Sequence, residues 1–167
     1  MQERTLDLLI IGGGITGAGV ALQAAASGLE TGLIEMQDFA EGTSSRSTKL
    51  VHGGLRYLKQ FDVEVVSDTV SERAVVQQIA PHIPKPDPML LPVYEEDGAT
   101  FSLFRLKVAM DLYDLLAGVN NTPAANKVLS KEEVLEREPE LKKEGLVGGG
   151  VYLDFRNNDA RLVIENI

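Results

Sequence analysis

The chain has 167 residues, of which 44% are hydrophobic and 25% charged, and its formal net charge is −9. That is enough for one ordinary domain with a real core, and the acidic balance disfavours nucleic acid and anionic membrane as partners. It has no cysteine, which excludes disulfides, thiolate metal sites and cysteine nucleophiles, and no metal site is expected.

Residues 6–35, LDLLIIGGGITGAGVALQAAASGLETGLIE, organise the rest. An apolar run, Leu8-Leu9-Ile10-Ile11, meets Gly12, Gly14 and Gly17 at G-x-G-x-x-G spacing. A small-residue helix follows, Gly28 closes it, and a second apolar run ends in Glu35. Strand, tight turn, helix, strand and acid is the order of a dinucleotide-binding βαβ unit. Gly12 permits the sharp turn, Gly14 lets a pyrophosphate approach the backbone, and Gly17 lets the helix lie close on the sheet. Thr16 joins these glycines in the expected cofactor-binding set. The helix N-terminus offers N–H groups and partial positive charge to phosphates. A carboxylate at Glu35 suits a ribose diol and would repel a 2′-phosphate, which disfavours NADP. The bland alternative is a glycine-rich turn with no ligand.

Residues 36–60 carry a Ser/Thr/Gly segment followed by Arg46, Lys49, Arg56 and Lys59, with His52 between them. Hydroxyls and amides at Thr43, Ser44, Ser45, Ser47 and Thr48 could hold phosphate oxygens. Gly53 and Gly54 would let the backbone pass close to a flat ring. The plain alternative is a helix cap followed by a solvated face.

GGGITGAGVALQAAASGLETGLIE followed by GTSSRSTKLVHGGLRYL resembles the N-terminal part of the FAD-dependent glycerol-3-phosphate dehydrogenase family, on the side of its soluble α-glycerophosphate oxidases. The likeness runs on through SERAVVQQIAPHIPKP, LPVY, MDLYDLLAG and DARLVIENI, so it covers essentially the whole chain. It implies FAD as cofactor and sn-glycerol 3-phosphate as substrate, oxidised to dihydroxyacetone phosphate. Electrons would pass to oxygen, giving hydrogen peroxide, or to a quinone. It also implies a cofactor-binding set of Gly12, Gly14, Thr16, Gly17, Glu35, Thr43, Ser44, Ser45, Ser47, Thr48, Lys49, Gly53 and Gly54. His52 is the candidate base or hydrogen-bond partner of the substrate hydroxyl, because imidazole titrates in the working pH range. Arg56 is the candidate phosphate anchor. Lys49 and Arg46 are expected to serve cofactor or structure.

Further along, residues 62–80 predict an amphipathic helix with Val63, Val66, Val70, Ala74, Val75 and Ile79 on its apolar side. Pro81 ends it, His82 is expected to be a structural or surface histidine and not a catalytic one, and the proline-rich crossing suits a connection between lobes. MLLPVY, residues 89–94, reads as a strand that Pro92 confines to an edge or bulge. Turns follow at 95–98 and 120–123. Residues 101–117 predict a core helix stopped by Gly118, with interfacial membrane docking as the disfavoured alternative. Ser130 and Glu133 predict a capping box. Gly148-Gly149-Gly150 is read as preceding a strand, VYLDF, and Asn157-Asn158-Asp159 as capping a last helix. The chain stops within that helix, as a fragment would.

The expected fold is α/β: a Rossmann-like FAD-binding βαβ domain with the start of a second α+β substrate lobe. The expected boundaries are 1–80 for the first part of the FAD domain, 81–155 for the lobe and 156–167 for the return. No leader is read at the N-terminus, so the cytoplasm is expected. Membrane contact is not expected, and an oligomer is left open. An NAD-dependent dehydrogenase and a non-catalytic nucleotide-binding module are the competing readings.

Overall fold

The structure, a computed structural model, describes residues 5–60, 62–95, 102–119 and 122–167. The turn read at 95–98 lies outside these residues beyond Glu95, as do the first two positions of that at 120–123. The chain divides into two compact units, Met1–Leu50 with Asn157–Ile167, and Val51–Arg156.

In the first unit β1 (Leu8–Ile11) and β2 (Thr31–Ile34) run parallel, with Leu8 opposite Thr31 and Ile11 opposite Ile34. A parallel pair needs a crossover, and α1 (Ile15–Ala26) supplies it. Gly28, at φ +83°, ends α1, where the Gly28 N–H donates to Ala25 and the Leu29 N–H to Ala24. That is a Schellman motif, which glycine makes without a Cβ penalty. α5 (Asp159–Ile164) joins this unit through Val163, packed with Ala18 and Ala40. The Asn158 side chain accepts from the Arg161 N–H, so the cap expected there is present.

The second unit is built on a mostly antiparallel sheet. β6 (Leu146–Arg156) lies between β3 (Leu50–Val51) and β4 (Lys85–Tyr94), and β5 (Lys127–Leu129) also pairs with β6. β4 is an edge strand with a register shift at Val93/Tyr94, which accommodates prolines that cannot donate to a ladder. Gly148, Gly149 and Gly150 lie inside β6 and do not precede it. A Cβ on Gly150 would stand 2.6 Å from Met110 Sδ, and one on Gly149 would stand 2.9 Å from the Leu91 carbonyl oxygen. The run is therefore glycine because α3 and β4 press against the strand.

α3 (Leu103–Leu116) packs on β6, and α2 (Val63–Ile79) packs against α3. The buried stripe of α2 is Val66, Val70 and Arg73, and Val63, Ala74, Val75 and Ile79 are exposed. The expected apolar face is thus corrected: an arginine holds the third core position. α3 buries Leu106, Ala109, Met110, Tyr113 and Asp114, as a core helix does. Gly118, at φ +69°, follows its end. α4 (Lys131–Arg137) opens on the Ser130–Glu133 capping box. Among the described residues no helix is long and apolar enough to cross a membrane.

Candidate functional site

The first unit gathers most of the expected phosphate-binding residues around the start of α1. Gly12 has φ +111°, a value that favours glycine, and its N–H donates to the Ile34 carbonyl at 2.8 Å. Gly14 is the N-cap of α1 and provides no side-chain cap. Ser44, in a short 3₁₀ turn (Thr43–Ser45), supplies the missing acceptor: its Oγ takes the Ile15 N–H at 2.9 Å. The Ser44 hydroxyl keeps its own proton to donate. The N–H groups of Thr16 and Gly17 have no protein acceptor among the described residues, as the first turn of a helix dictates. A Cβ on Gly17 would sit 1.9 Å from the Gly12 carbonyl oxygen, so only glycine allows this helix so close to its turn.

Glu35, at the end of β2, closes the turn from the other side. Its Oε2 accepts from the Gly13 N–H at 2.6 Å, and its Oε1 accepts from Met36 at 2.7 Å and Gln37 at 3.1 Å. These amides, Gly13 first, hold its carboxyl below the usual carboxylate range. Both oxygens retain lone pairs for further donors. Gly14, Glu35, Gln37, Thr43, Ser44 and Arg46 are among the residues lining an open cleft of about 310 Å³. Ser44→Ala should cost about 1 kcal/mol, as loss of an N-cap acceptor does, measured by urea unfolding; an unchanged midpoint would remove Ser44 from the cap.

Ser47 and Lys49 turn toward Asp159 in the first turn of α5. The Ser47 hydroxyl donates to Asp159 Oδ2, and Lys49 Nζ lies 3.4 Å from the same oxygen. Lys49 Nζ also donates to the Ser45 carbonyl, and Arg46 pairs with Glu41. Lys49 has φ +63°, a left-handed conformation costly for a non-glycine residue. Thr48 is exposed. Asp159 was not legible in the sequence as a partner of this segment.

The second unit carries the other expected residues. His52 is exposed, and its Nδ1 accepts the Gly54 N–H at 3.0 Å. That bond assigns the proton of the neutral ring to Nε2. Gly53 is buried, and its N–H donates to Tyr113 Oη at 3.0 Å. A Cβ on Gly53 would meet Tyr113 Oη and Val70 Cγ1, both at 2.4 Å. Arg56 is exposed, with its guanidinium 5.1 Å from the Tyr57 ring centroid and Nη2 3.3 Å from Tyr57 Oη.

Beneath Gly53 lies a polar cluster that periodicity did not reveal. Arg73 Nη1 donates to Tyr113 Oη at 2.7 Å and to Asp154 Oδ1 at 2.9 Å, and both side chains of the ion pair are almost wholly buried. The guanidinium also lies 4.5 Å from the Phe155 ring centroid. Burial pushes the Asp154 carboxyl up against the pull of Arg73 and, more weakly, of His52. Burial likewise pushes the Tyr113 phenol well above its usual value, and Tyr152 to about 12, so both are neutral donors.

A family model described as FAD dependent oxidoreductase matches residues 7–167. The chain belongs to the FAD-dependent oxidoreductase family. Among curated relatives, it is 96% identical over 167 residues to an alpha-glycerophosphate oxidase of Streptococcus pneumoniae serotype 4, covering all of this chain and 28% of that one. It is 78% identical over 165 residues to an alpha-glycerophosphate oxidase of Enterococcus casseliflavus, covering 99% of this chain and 27% of that one. The chain therefore spans little more than a quarter of the relatives' length. Among solved structures, the glycerol-3-phosphate dehydrogenase of Bacillus halodurans complexed with FAD matches with a TM-score of 0.66 and 43% identity. That match covers 99% of this chain and 24% of the other. The L-alpha-glycerophosphate oxidase of Mycoplasma pneumoniae, 18% identical with a TM-score of 0.63 over 97% of this chain and 41% of its own, shares the fold.

The residues of this FAD-dependent oxidoreductase chain fit a diphosphate group. The N-cap has no side chain, two first-turn amides lack a protein acceptor among the described residues, and a hydroxyl and a cleft stand beside them. Among the described residues no group of three or more His, Asp or Glu is arranged to hold a metal ion.

Proposed function

We propose that these residues begin an FAD-dependent oxidase that converts sn-glycerol 3-phosphate to dihydroxyacetone phosphate and passes the electrons to oxygen, giving hydrogen peroxide. The observation that carries this reading is the open first turn of α1 beside Ser44 and Glu35. The alpha-glycerophosphate oxidase relatives support the substrate and the oxidase half-reaction. In this reading the Thr16 and Gly17 amides and the Ser44 hydroxyl take the diphosphate of FAD, and Glu35 takes ribose hydroxyls. Thr43, Ser45, Ser47, Thr48 and Lys49 border the cofactor, with Ser47 and Lys49 braced on Asp159. Gly53 and Gly54 are placed beside the flavin ring by the likeness, while the space their missing Cβ atoms leave is taken up by Tyr113, Val70 and Tyr57. Bound FAD would supply the acceptor for the hydride that leaves C2 of the substrate.

His52 and Arg56 complete the assignment. With Nδ1 engaged by Gly54, the imidazole presents Nε2–H. That favours His52 as a hydrogen-bond donor to the C2 oxygen, with the hydroxyl proton taken by a base supplied elsewhere in the full-length protein. Arg56 keeps donors free of Tyr57 for a phosphate dianion, and an acidic chain needs such a local cation. By ligand, residues 1–80 and 156–167 serve the cofactor and 81–155 begin the substrate lobe, although 51–80 pack with the second unit. A cytoplasmic location belongs to the same proposal.

Arg56→Ala in the full-length protein should raise KM for glycerol 3-phosphate about tenfold to a hundredfold, the worth of a charged hydrogen bond. An unchanged KM would remove Arg56 from the phosphate site. His52→Ala should slow anaerobic flavin reduction about a hundredfold while FAD stays bound; reduction at the wild-type rate would end its role. The reading as a whole is tested by oxygen uptake and peroxide release on adding glycerol 3-phosphate. Turnover with a quinone but not with oxygen would favour a dehydrogenase, consistent with the Bacillus halodurans likeness, and no turnover with either would refute the reading.

A further inference from the structure

We propose that Arg73, Tyr113 and Asp154 are positioning residues for His52, fixing the direction of its imidazole through the Gly53 backbone. The inference rests on the assignment of His52 as a donor to the substrate oxygen.

The connection is continuous within the second unit. Asp154 Oδ1 accepts from Arg73 at 2.9 Å and from the Phe155 N–H at 3.1 Å, which anchors the carboxylate to β6. Arg73, from α2, donates to Tyr113 Oη at 2.7 Å, and Tyr113, from α3, accepts the Gly53 N–H at 3.0 Å. The phenol proton points at Asp154 Oδ1, 3.5 Å away. Both lone pairs and the single proton of the Tyr113 hydroxyl are thus assigned. The Gly53 carbonyl oxygen lies 3.0 Å from Thr69 Oγ1 of α2, and the Gly54 N–H then reaches His52 Nδ1. Gly53 is met at its N–H by Tyr113 and at its carbonyl by Thr69, and the peptide unit that carries this carbonyl donates its N–H to the imidazole.

A merely cohesive role does not need this chemistry. Val66, Val70, Leu106 and Met110 already form an apolar core around the cluster. A buried ion pair is commonly no more stabilising than apolar side chains of similar volume. What apolar side chains cannot do is accept from the buried Gly53 N–H, whose acceptor among the described residues is the Tyr113 hydroxyl. The packing at this point is close: a Cβ on Gly53 would stand 2.4 Å from Tyr113 Oη. A shift of a reacting group by about an ångström costs orders of magnitude in rate, so a fixed Gly53 has a catalytic consequence.

The test is Tyr113→Phe in the full-length holoprotein, which keeps the ring and removes the hydroxyl. FAD content should stay at the wild-type level. The limiting rate of anaerobic flavin reduction by glycerol 3-phosphate should fall about tenfold or more, with the apparent substrate Kd changed less than about threefold. Amide exchange of the peptide holding Gly53 and Gly54 should accelerate. Faster exchange with a wild-type limiting rate would overturn the proposal, because the contact would then be structural only. Exchange no faster than wild type would overturn it whatever the substrate proves to be. If the wild-type protein is not reduced by glycerol 3-phosphate, the proposed function fails, and the exchange comparison still decides whether Tyr113 holds Gly53. Should Tyr113→Phe not fold, Arg73→Lys, which keeps the charge but loses the guanidinium fork, is read by the same two measurements.

Discussion

Gly17→Ala is expected to leave the full-length protein without bound FAD. The added Cβ would fall 1.9 Å from the Gly12 carbonyl oxygen, a backbone atom with no rotamer to escape through. Either α1 moves away from the turn or the turn opens, and both displace the Thr16 and Gly17 amides. Overpacking a rigid site typically costs about 1–3 kcal/mol, and a clash with main chain lies at or above the upper end. Gly19→Ala is the internal control, since a Cβ there meets nothing within 4 Å. Alanine is favoured over glycine in a helix by about 1 kcal/mol, so that variant should keep its flavin and gain stability. Flavin absorbance co-eluting with each purified protein decides the matter. Retention of a full complement by Gly17→Ala would show that the first turn of α1 is not where the diphosphate rests.

Arg73→Met should destabilise the second unit by about 3–5 kcal/mol, the cost of leaving a buried charge without its partner. Among the described residues Asp154 would keep only the Phe155 N–H and the distant Tyr113 hydroxyl as donors. The double variant Arg73→Met with Asp154→Leu removes the orphaned charge and should recover most of the loss, because apolar pairs often replace buried ion pairs without penalty. Urea unfolding of both variants measures it. A single-variant loss below about 1 kcal/mol would mean that water reaches Asp154 and that the pair is not a buried link to Gly53.

Features set by neighbouring residues are legible in the amino-acid sequence. The Gly12, Gly14 and Gly17 turn, the Ser130–Glu133 box and the stop at Gly118 depend on contacts within a few positions, and each residue type has one reason to stand there. The Arg73 cluster was hidden for the opposite reason. Its hydrogen bonds join residues 40 and 81 positions apart, and a charged residue on a helix is normally assigned to the solvent face. The same distance concealed Asp159, which meets Ser47 across 112 positions. Read locally, Ser47 and Lys49 offer donors to a phosphate; in the fold they first meet a carboxylate. The glycines at 148–150 misled in another way. Glycine runs signal turns when nothing else is known, yet these keep a strand thin where Met110 and Leu91 press on it.

Every assignment at the cofactor site depends on the open amides at the start of α1 receiving the FAD diphosphate. Amide hydrogen exchange of the full-length apoprotein, with and without FAD, reads those groups directly. Exchange at Thr16 and Gly17 should slow several-fold on FAD binding, while that of Leu8 and Gly12, whose N–H groups already donate to carbonyls of the β2 segment, changes little. FAD bound at full stoichiometry with Thr16 and Gly17 exchanging as before would contradict it.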